Sequence, residues 1–444
     1  MVSPKGGNTM KARNVVIVDG VRSAFTKGGR GRLEATRMDE AGAALVRMLF
    51  ERNPKVKPTM VEEFGIANAR RDIELAELSF VSRLAGLPIE VPAFYSNRHC
   101  ASSMEVAIRI AMAIALGQYD CGIAFGAERM ARVMGAGGAT PPPPTRVTGF
   151  NPKVMNHSPL QRNMPADYSD YFKTPIPDYL MDVKEYNTMV QTAQNVAEMY
   201  DLTREELDEF AMKSQKRLAA AYDEGIYKDE VMPLEVEDPV FDDEGNWVQE
   251  EIGPKVILDR DESVRGNTTM EGLAKLKPVR GIKSYGGKEL RITAGNSCPT
   301  NSGIAVLLLM SEEKALKLGL EPLARIIAWG NAGVKQCLMG IGPVPSTIKA
   351  LKMAGLEPDQ IDRVEFNEAF ACQVIASLRE VAIPADRINV NGGSIGIGHP
   401  IGATGARLLL TVAKELRRSG KKYGLATQCI GGGQGATTIL EALD

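Results

Sequence analysis

Three side chains whose types could cooperate in nucleophilic chemistry stand at the ends of apolar segments: Cys100, His399 and Cys429. His399, one of three histidines, lies in the stretch NGGSIGIGHPIGATGAR from Asn391 to Arg407, which holds six glycines. Glycine lets a backbone approach a ligand closely, so six of them around one imidazole predict a tight turn pressed against a substrate. A flexible linker would be polar and Ser-rich, whereas Ile395, Ile397, Pro400 and Ile401 are apolar or rigid and LLLTVA follows. Gly402 to Leu416 therefore reads as a helix packed into a core, with His399 at its mouth, a position that favours anions. Cys100 precedes a helix predicted from Ser102, where the dipole and free N–H groups predict a stabilised thiolate.

A nucleophile needs a base, and His399 is the histidine in a comparably structured setting. His157 lies in a Pro-rich stretch, and His99 adjoins Cys100 on extended backbone, where neighbouring side chains point apart. Cys429, in TQCIGGGQG, follows an apolar strand and precedes three glycines whose N–H groups could cradle an oxyanion. Its thiol could shuttle a proton. Asn367 and Glu368, in FNEAFAC, place an amide and a carboxylate at a strand end, where α/β enzymes hold functional groups. Asn367 reads equally well as a turn former.

The elements that must position these groups alternate. NVVIV from Asn14 is a buried strand, Met38 to Glu51 a helix, Glu63 to Ile66 a strand and Glu74 to Ala85 a helix. An extended segment then leads through Cys100 into a helix ending at Gly117, followed by a buried strand from Cys121 to Phe125. From Ala136 the texture changes to a Pro-rich insertion with four consecutive prolines, then two amphipathic helices between Thr188 and Tyr222, the second opened by a capping box of Thr203 and Glu206. A polar stretch with DDEGN as a hairpin turn follows. The α/β texture returns after Lys288 and closes on two strands around a hairpin, YGLATQCIGGGQGATTILEAL. These shifts predict three units: residues 1–133, an inserted loop domain at 134–288, and residues 289–444.

The first and last units echo each other. VEEFGIANA near position 61 matches RVEFNEAFA near 363, and each leads through a small-residue-rich helix to a strand ending in glycine. A duplication would place Cys100 and His399 at corresponding helix starts in two pseudo-symmetric halves, with a site where they face each other.

Composition narrows the class. The chain has 44% hydrophobic and 24% charged residues and a net charge of −2, which gives no bias toward nucleic acid or acidic membranes. The most apolar helix, IRIAMAIAL, is about half of a membrane span. The start, MVSPKGGNTMKARN, has no hydrophobic signal core, so a cytoplasmic protein is expected. Six scattered cysteines form neither CxxC pairs nor a dense framework, which predicts free thiols and neither zinc nor disulfides.

NRHCASSMEV, ITAGNSCPTNSGIA, FNEAFACQ, NGGSIGIGHPIGATGAR and QCIGGGQG, in this order, resemble the signature segments of the thiolase family, most of all its degradative 3-ketoacyl-CoA thiolases. The resemblance implies a five-layered αβαβα sandwich of two homologous halves with a loop domain inserted in the first. It implies Cys100 as acylated nucleophile, His399 as its base, Cys429 as acid/base on the acetyl methyl or enolate, and Asn367 holding a water that completes one oxyanion hole with His399. The N–H groups of Cys100 and Gly431 would form the other. Met189, Ala294, Cys298 and Phe370 would line the path of substrate and CoA. The family's Met-Gly pair is Met189-Val190 here, and the segment after Asn296 reads Ser297-Cys298 where a hydroxyl residue is common. CoA enters as substrate, with no metal or redox cofactor.

Within the family's reach, acetoacetyl-CoA synthesis is the same chemistry reversed. An acyl-carrier-protein-dependent condensing enzyme would place histidines where this chain has Asn367 and Cys429, and a non-catalytic scaffold subunit would have no need of all three reactive residues. Thiolase-like proteins dimerise about a two-fold axis, so a homodimer or homotetramer is expected, with the Pro-rich insertion as a candidate contact for a β-oxidation partner enzyme.

Overall fold

The computed structural model describes residues 12–70, 75, 80–130, 172–181, 183, 187–244 and 247–443. The Pro-rich stretch and His157 lie outside the described residues, as does most of the first turn of the helix expected from Glu74.

The first half runs β1 (Val15–Arg22), α1 (Met38–Arg52), β2 (Glu63–Ala67), α2 (Phe80–Leu84), β3 (Ala93–Ser96), α3 (Ser102–Ala115) and β4 (Cys121–Glu128). The inserted lobe carries α4 (Met189–Met199), α5 (Arg204–Asp223) and a hairpin of β5 (Leu234–Phe241) and β6 (Trp247–Leu258), after which β7 (Asn301–Ser311) and α6 (Glu312–Lys317) return to the core. The second half is β8 (Ala324–Gly333), α7 (Pro343–Ala354), β9 (Arg363–Phe366), α8 (Ala371–Val381), α9 (Ser394–Ile397), α10 (Ile401–Ser419), β10 (Tyr423–Ile430) and β11 (Gln434–Glu441).

The strands form one continuous order, β9-β10-β11-β8-β1-β7-β4-β2-β3, that reads as two copies of one pattern joined back to back. On one side β1 is followed by β7, β4, β2 and β3; on the other β8 is followed by β11, β10 and β9, and the bridge Val364↔Ile388 lies beside β9 as β3 lies beside β2. The two sheets are joined edge to edge through the pairs Val16↔Arg325 and Ile17↔Ala324. Helices α3 and α10 pack against each other between the copies, α1 and α2 cover the outer face of the first, and α7 and α8 cover that of the second. The result is the expected five-layered αβαβα sandwich. Burial on both faces explains why β1, β4 and β7 are buried at every position and read as apolar runs without alternation.

The copies differ at one connection. β10 and β11 are joined by the tight turn at Gly431–Gly433, whereas the equivalent β4 and β7 are separated by the whole inserted lobe. Because β7 pairs antiparallel with both β1 and β4, it completes the first half, although the sequence reading grouped it with residues 289–444. Its misplacement has a physical origin: an apolar run declares that a strand is buried, but not which neighbour supplies its ladder.

The lobe is fixed to the core by charge. Arg22, fully buried at the end of β1, donates from Nε to Glu230 at 2.6 Å and from both terminal nitrogens to Asp261 at 2.7 and 2.9 Å, with its plane against Phe25 and Tyr227. Helix α5 opens with the expected capping box, in which Thr203 Oγ1 accepts from Glu206 N at 3.1 Å and Thr203 N donates to Glu206 Oε2 at 2.6 Å.

Candidate active site

Cys100 sits in a sharp turn between β3 and α3. His99 adopts a left-handed φ of 45° instead of the extended backbone expected for it, a conformation that histidine tolerates better than most residues. The turn is closed by Ser102, whose Oγ accepts from Arg98 N at 2.9 Å and donates to His99 O at 2.7 Å. His399 stands two residues before α10 as Cys100 stands two before α3, and these are the two helices that pack together at the centre. The pseudo-symmetry brings the two side chains to the same end of the same layer.

The electrostatics are those of a neutral pair. Burial pushes the Cys100 thiol up to about 11, against the hydrogen bond from the Gly431 backbone and the charge of Arg70. Burial, helped by Arg407, pushes His399 down to about 3. The stabilised thiolate expected at the helix start is therefore not what the resting site holds: desolvation outweighs the helix terminus. The mouth of α10 likewise does have its anion, but a protein one. Glu128, at the end of β4, accepts from Gly402 N at 2.7 Å and from Ala69 N and Arg70 N at 3.0 Å each, which ties the two halves together.

The tautomer of His399 follows from its partners. Thr404 Oγ1 spends its proton on Pro400 O at 2.8 Å, so at 2.6 Å it accepts from His399 Nδ1–H. Nε2 is left with a lone pair, and Asn367 Nδ2 lies 3.5 Å from it. A neutral imidazole whose Nε2 carries the lone pair can receive a proton there.

Cys429, buried at the end of β10, donates to Gln373 Oε1 at 3.3 Å, and burial with the nearby Cys100 and Cys298 holds its thiol well above the ordinary range. Gly431 follows in the β10–β11 turn, facing the His99 ring, and its backbone favours the charged form of the Cys100 sulfur. The loop carrying Cys298 is laced to the segment after Asn367: Cys298 N donates to Ala369 O at 3.0 Å, Ala371 N to Asn296 O at 2.9 Å, and Ser297 bridges Phe370. Burial and the nearby Cys100 push the Cys298 thiol up to about 12. Phe370 is buried and Met189 half-buried in the same apolar cluster as Cys429, whereas Ala294 is exposed at the tip of its turn. Glu368 is taken up in the lobe contact, accepting from Ser214, Asn389 and Ile395 N.

The glycines around His399 approach protein, not open space. A Cβ on Gly398, whose φ is 107°, would lie 2.3 Å from the Asn301 side chain, and one on Gly402 would lie 2.5 Å from Ala127 O. They let α10 and its loop seat against β4 and β7, which sets the depth of His399. Sequence reasoning missed Thr404, Gln373, Ser394 and Arg407. Thr404, Ser394 and Arg407 were within reach, because all three lie in the same glycine-rich stretch as His399 and its helix; Gln373 meets the site from a separate segment, on α8.

Among the described residues, all six cysteines are free, no cluster of metal-ligating side chains occurs, and no helix is long and apolar enough to cross a membrane.

Comparison with known proteins agrees with this architecture. Models of the thiolase N-terminal domain and C-terminal domain match residues 15–313 and 320–442, the first ending just after β7. The chain is 37% identical to a beta-ketoadipyl-CoA thiolase of Acinetobacter baylyi over 97% of its own length and 99% of that protein, and 35% identical to a 3-ketoacyl-CoA thiolase of Bacillus subtilis with the same coverage. A crystal structure of the Bacillus anthracis acetyl-CoA acetyltransferase superposes with a TM-score of 0.80 at 32% identity, covering 98% of this chain and all of that one. The chain belongs to the thiolase family, whose enzymes transfer acyl groups between CoA thioesters.

Proposed function

We propose that the protein cleaves 3-ketoacyl-CoA with free CoA, giving acetyl-CoA and a shortened acyl-CoA through an acyl-enzyme on Cys100. The observation that carries this reading is the placement of Cys100 and His399 at equivalent starts of the paired central helices.

Cys100 attacks the β-carbonyl as its proton passes to His399 Nε2. The oxyanion takes hydrogen bonds from the Cys100 and Gly431 N–H groups. The Cα–Cβ bond breaks, its electron pair forms the enolate of acetyl-CoA, and the Cys429 thiol protonates that carbon. Burial keeps the Cys429 thiol protonated, so it carries the proton that this step needs. Asn367 and His399 face the enolate oxygen, through a water on the amide. The imidazolium proton then resets Cys429, His399 takes the proton of incoming CoA, and the CoA sulfur displaces Cys100, which recovers that proton. CoA is a substrate and the steps need no metal or redox group.

The names of the relatives differ in the acyl part, so the acyl preference is assigned by turnover. Thiolysis should be measured on the isolated chain with acetoacetyl-CoA, longer 3-ketoacyl-CoA esters and 3-ketoadipyl-CoA. Turnover that disappears in Cys100→Ser is expected with at least one of them. A folded chain inert toward the whole series would favour the scaffold-subunit reading instead.

A further inference from the structure

We propose that Ser394 and Arg407 are positioning residues that fix which end of the Asn367 amide faces His399. The inference rests on the catalytic reading above.

An asparagine amide has an accepting oxygen and a donating nitrogen of nearly the same shape, so something outside it must decide its sense. Arg407 begins the chain of decisions because it has donors only. Fully buried on α10, it is anchored by Glu365 of β9, which accepts from Nη1 at 2.6 Å. Its Nη2 donates to Ser394 Oγ at 2.8 Å, so the serine oxygen is an acceptor there. The serine has one proton left, and the atom it faces is Asn367 Oδ1 at 2.7 Å. Asn367 Nδ2 is thereby turned toward His399 Nε2, and a donor at that position agrees with the tautomer that Thr404 imposes from the other side of the ring. Two independent hydrogen-bond chains thus converge on the same protonation pattern. With the amide reversed, its oxygen would face the imidazole lone pair and its nitrogen a serine proton.

The chain joins two segments, Glu365–Asn367 and Ser394–Arg407, and neither Ser394 nor Arg407 reaches the reacting atoms, so their effect on turnover must pass through Asn367. This is testable by a double-mutant cycle. Asn367→Ala is expected to lower kcat for thiolysis by about 10²-fold, the scale of one lost oxyanion donor. Ser394→Ala, which removes one oxygen atom, is expected to lower kcat by roughly tenfold, the scale of one hydrogen bond, with KM within a factor of about two. In the Asn367→Ala background the same serine change should cost less than about twofold, since no amide remains to orient. Ser394→Thr, which keeps the hydroxyl, should recover most of the loss. Equal costs in both backgrounds, or no cost in the native one, would overturn the proposal. A neutral Asn367→Ala would instead overturn the reading of the site beneath it, so the two failures are distinguishable. Should Ser394→Ala not fold, the conservative Arg407→Lys gives the same cycle, with the same non-additivity expected and additivity again refuting it.

Discussion

The resting state of Cys100 is the part of this account that departs furthest from intuition about reactive cysteines, and its pH dependence can be worked from the structure. With the thiol near 11, the thiolate fraction at pH 7 is about 10⁻⁴. A free cysteine near 8.5 has about 0.03, so the site should alkylate roughly 300-fold more slowly per exposed thiol. Restricted access multiplies the rate by a constant and leaves the pH profile untouched. The rate of iodoacetamide labelling of Cys100, followed by peptide mass spectrometry, should therefore rise about tenfold per pH unit from 6 to 9 without a plateau. The sign follows from the raised pKa: the reactive form is gained only as pH climbs toward 11. His399→Ala should change this labelling by less than about threefold, because an imidazole held near 3 carries no charge to stabilise a thiolate. The same change should slow acyl-enzyme formation by about 10²- to 10⁴-fold, the range of a lost general base. A flat labelling profile between pH 6 and 8, or a tenfold drop in labelling on losing His399, would show a preformed thiolate–imidazolium pair and refute the reasoning.

Two further outcomes follow from packing. Gly402→Ala should destabilise the protein by about 1–3 kcal/mol in urea unfolding, since the new methyl meets Ala127 O at 2.5 Å and Ala67 O at 2.9 Å and the backbones must part; an unchanged midpoint would mean α10 is not seated as tightly as the geometry requires. Among the described residues the outer edge of β3 has no strand partner, and Ile89, Met112 and Leu116 in the same half are exposed, so at least a homodimer through this edge is expected. Analytical ultracentrifugation at nanomolar concentration should find no active 48.0 kDa monomer.

What could be read in advance was whatever depends on local sequence. Helix starts before Ser102 and Ile401, the hairpin after Cys429 and the capping box at Thr203 announce themselves through residues a few positions apart, and so Cys100, His399 and Cys429 could be named as a set. The duplication was legible as well, because it repeats a local texture. What was not legible depends on pairing across the chain. The home of β7, the Glu128 carboxylate at the mouth of α10 and the Arg407–Ser394–Asn367 chain each join segments that only the fold brings together. The thiolate expectation differs from the raised pKa for a related reason: the helix start is written locally, whereas desolvation is set by the fold around the thiol. The glycine-rich loop was read as a turn pressed against a substrate; the close approaches described for its glycines are to protein, among them Leu218, Glu368, Asn301, Ala127 and Met104.

The central claim, an acyl group carried on Cys100, is tested most directly by trapping it. The protein is mixed with a 3-ketoacyl-CoA in the absence of free CoA, quenched in acid and digested, and the peptides are weighed. The account predicts the shortened acyl mass on the peptide containing Cys100, its removal on adding CoA, and its absence in Cys100→Ser. An adduct confined to Cys429 or Cys298, or turnover with Cys100 unmodified, would contradict it.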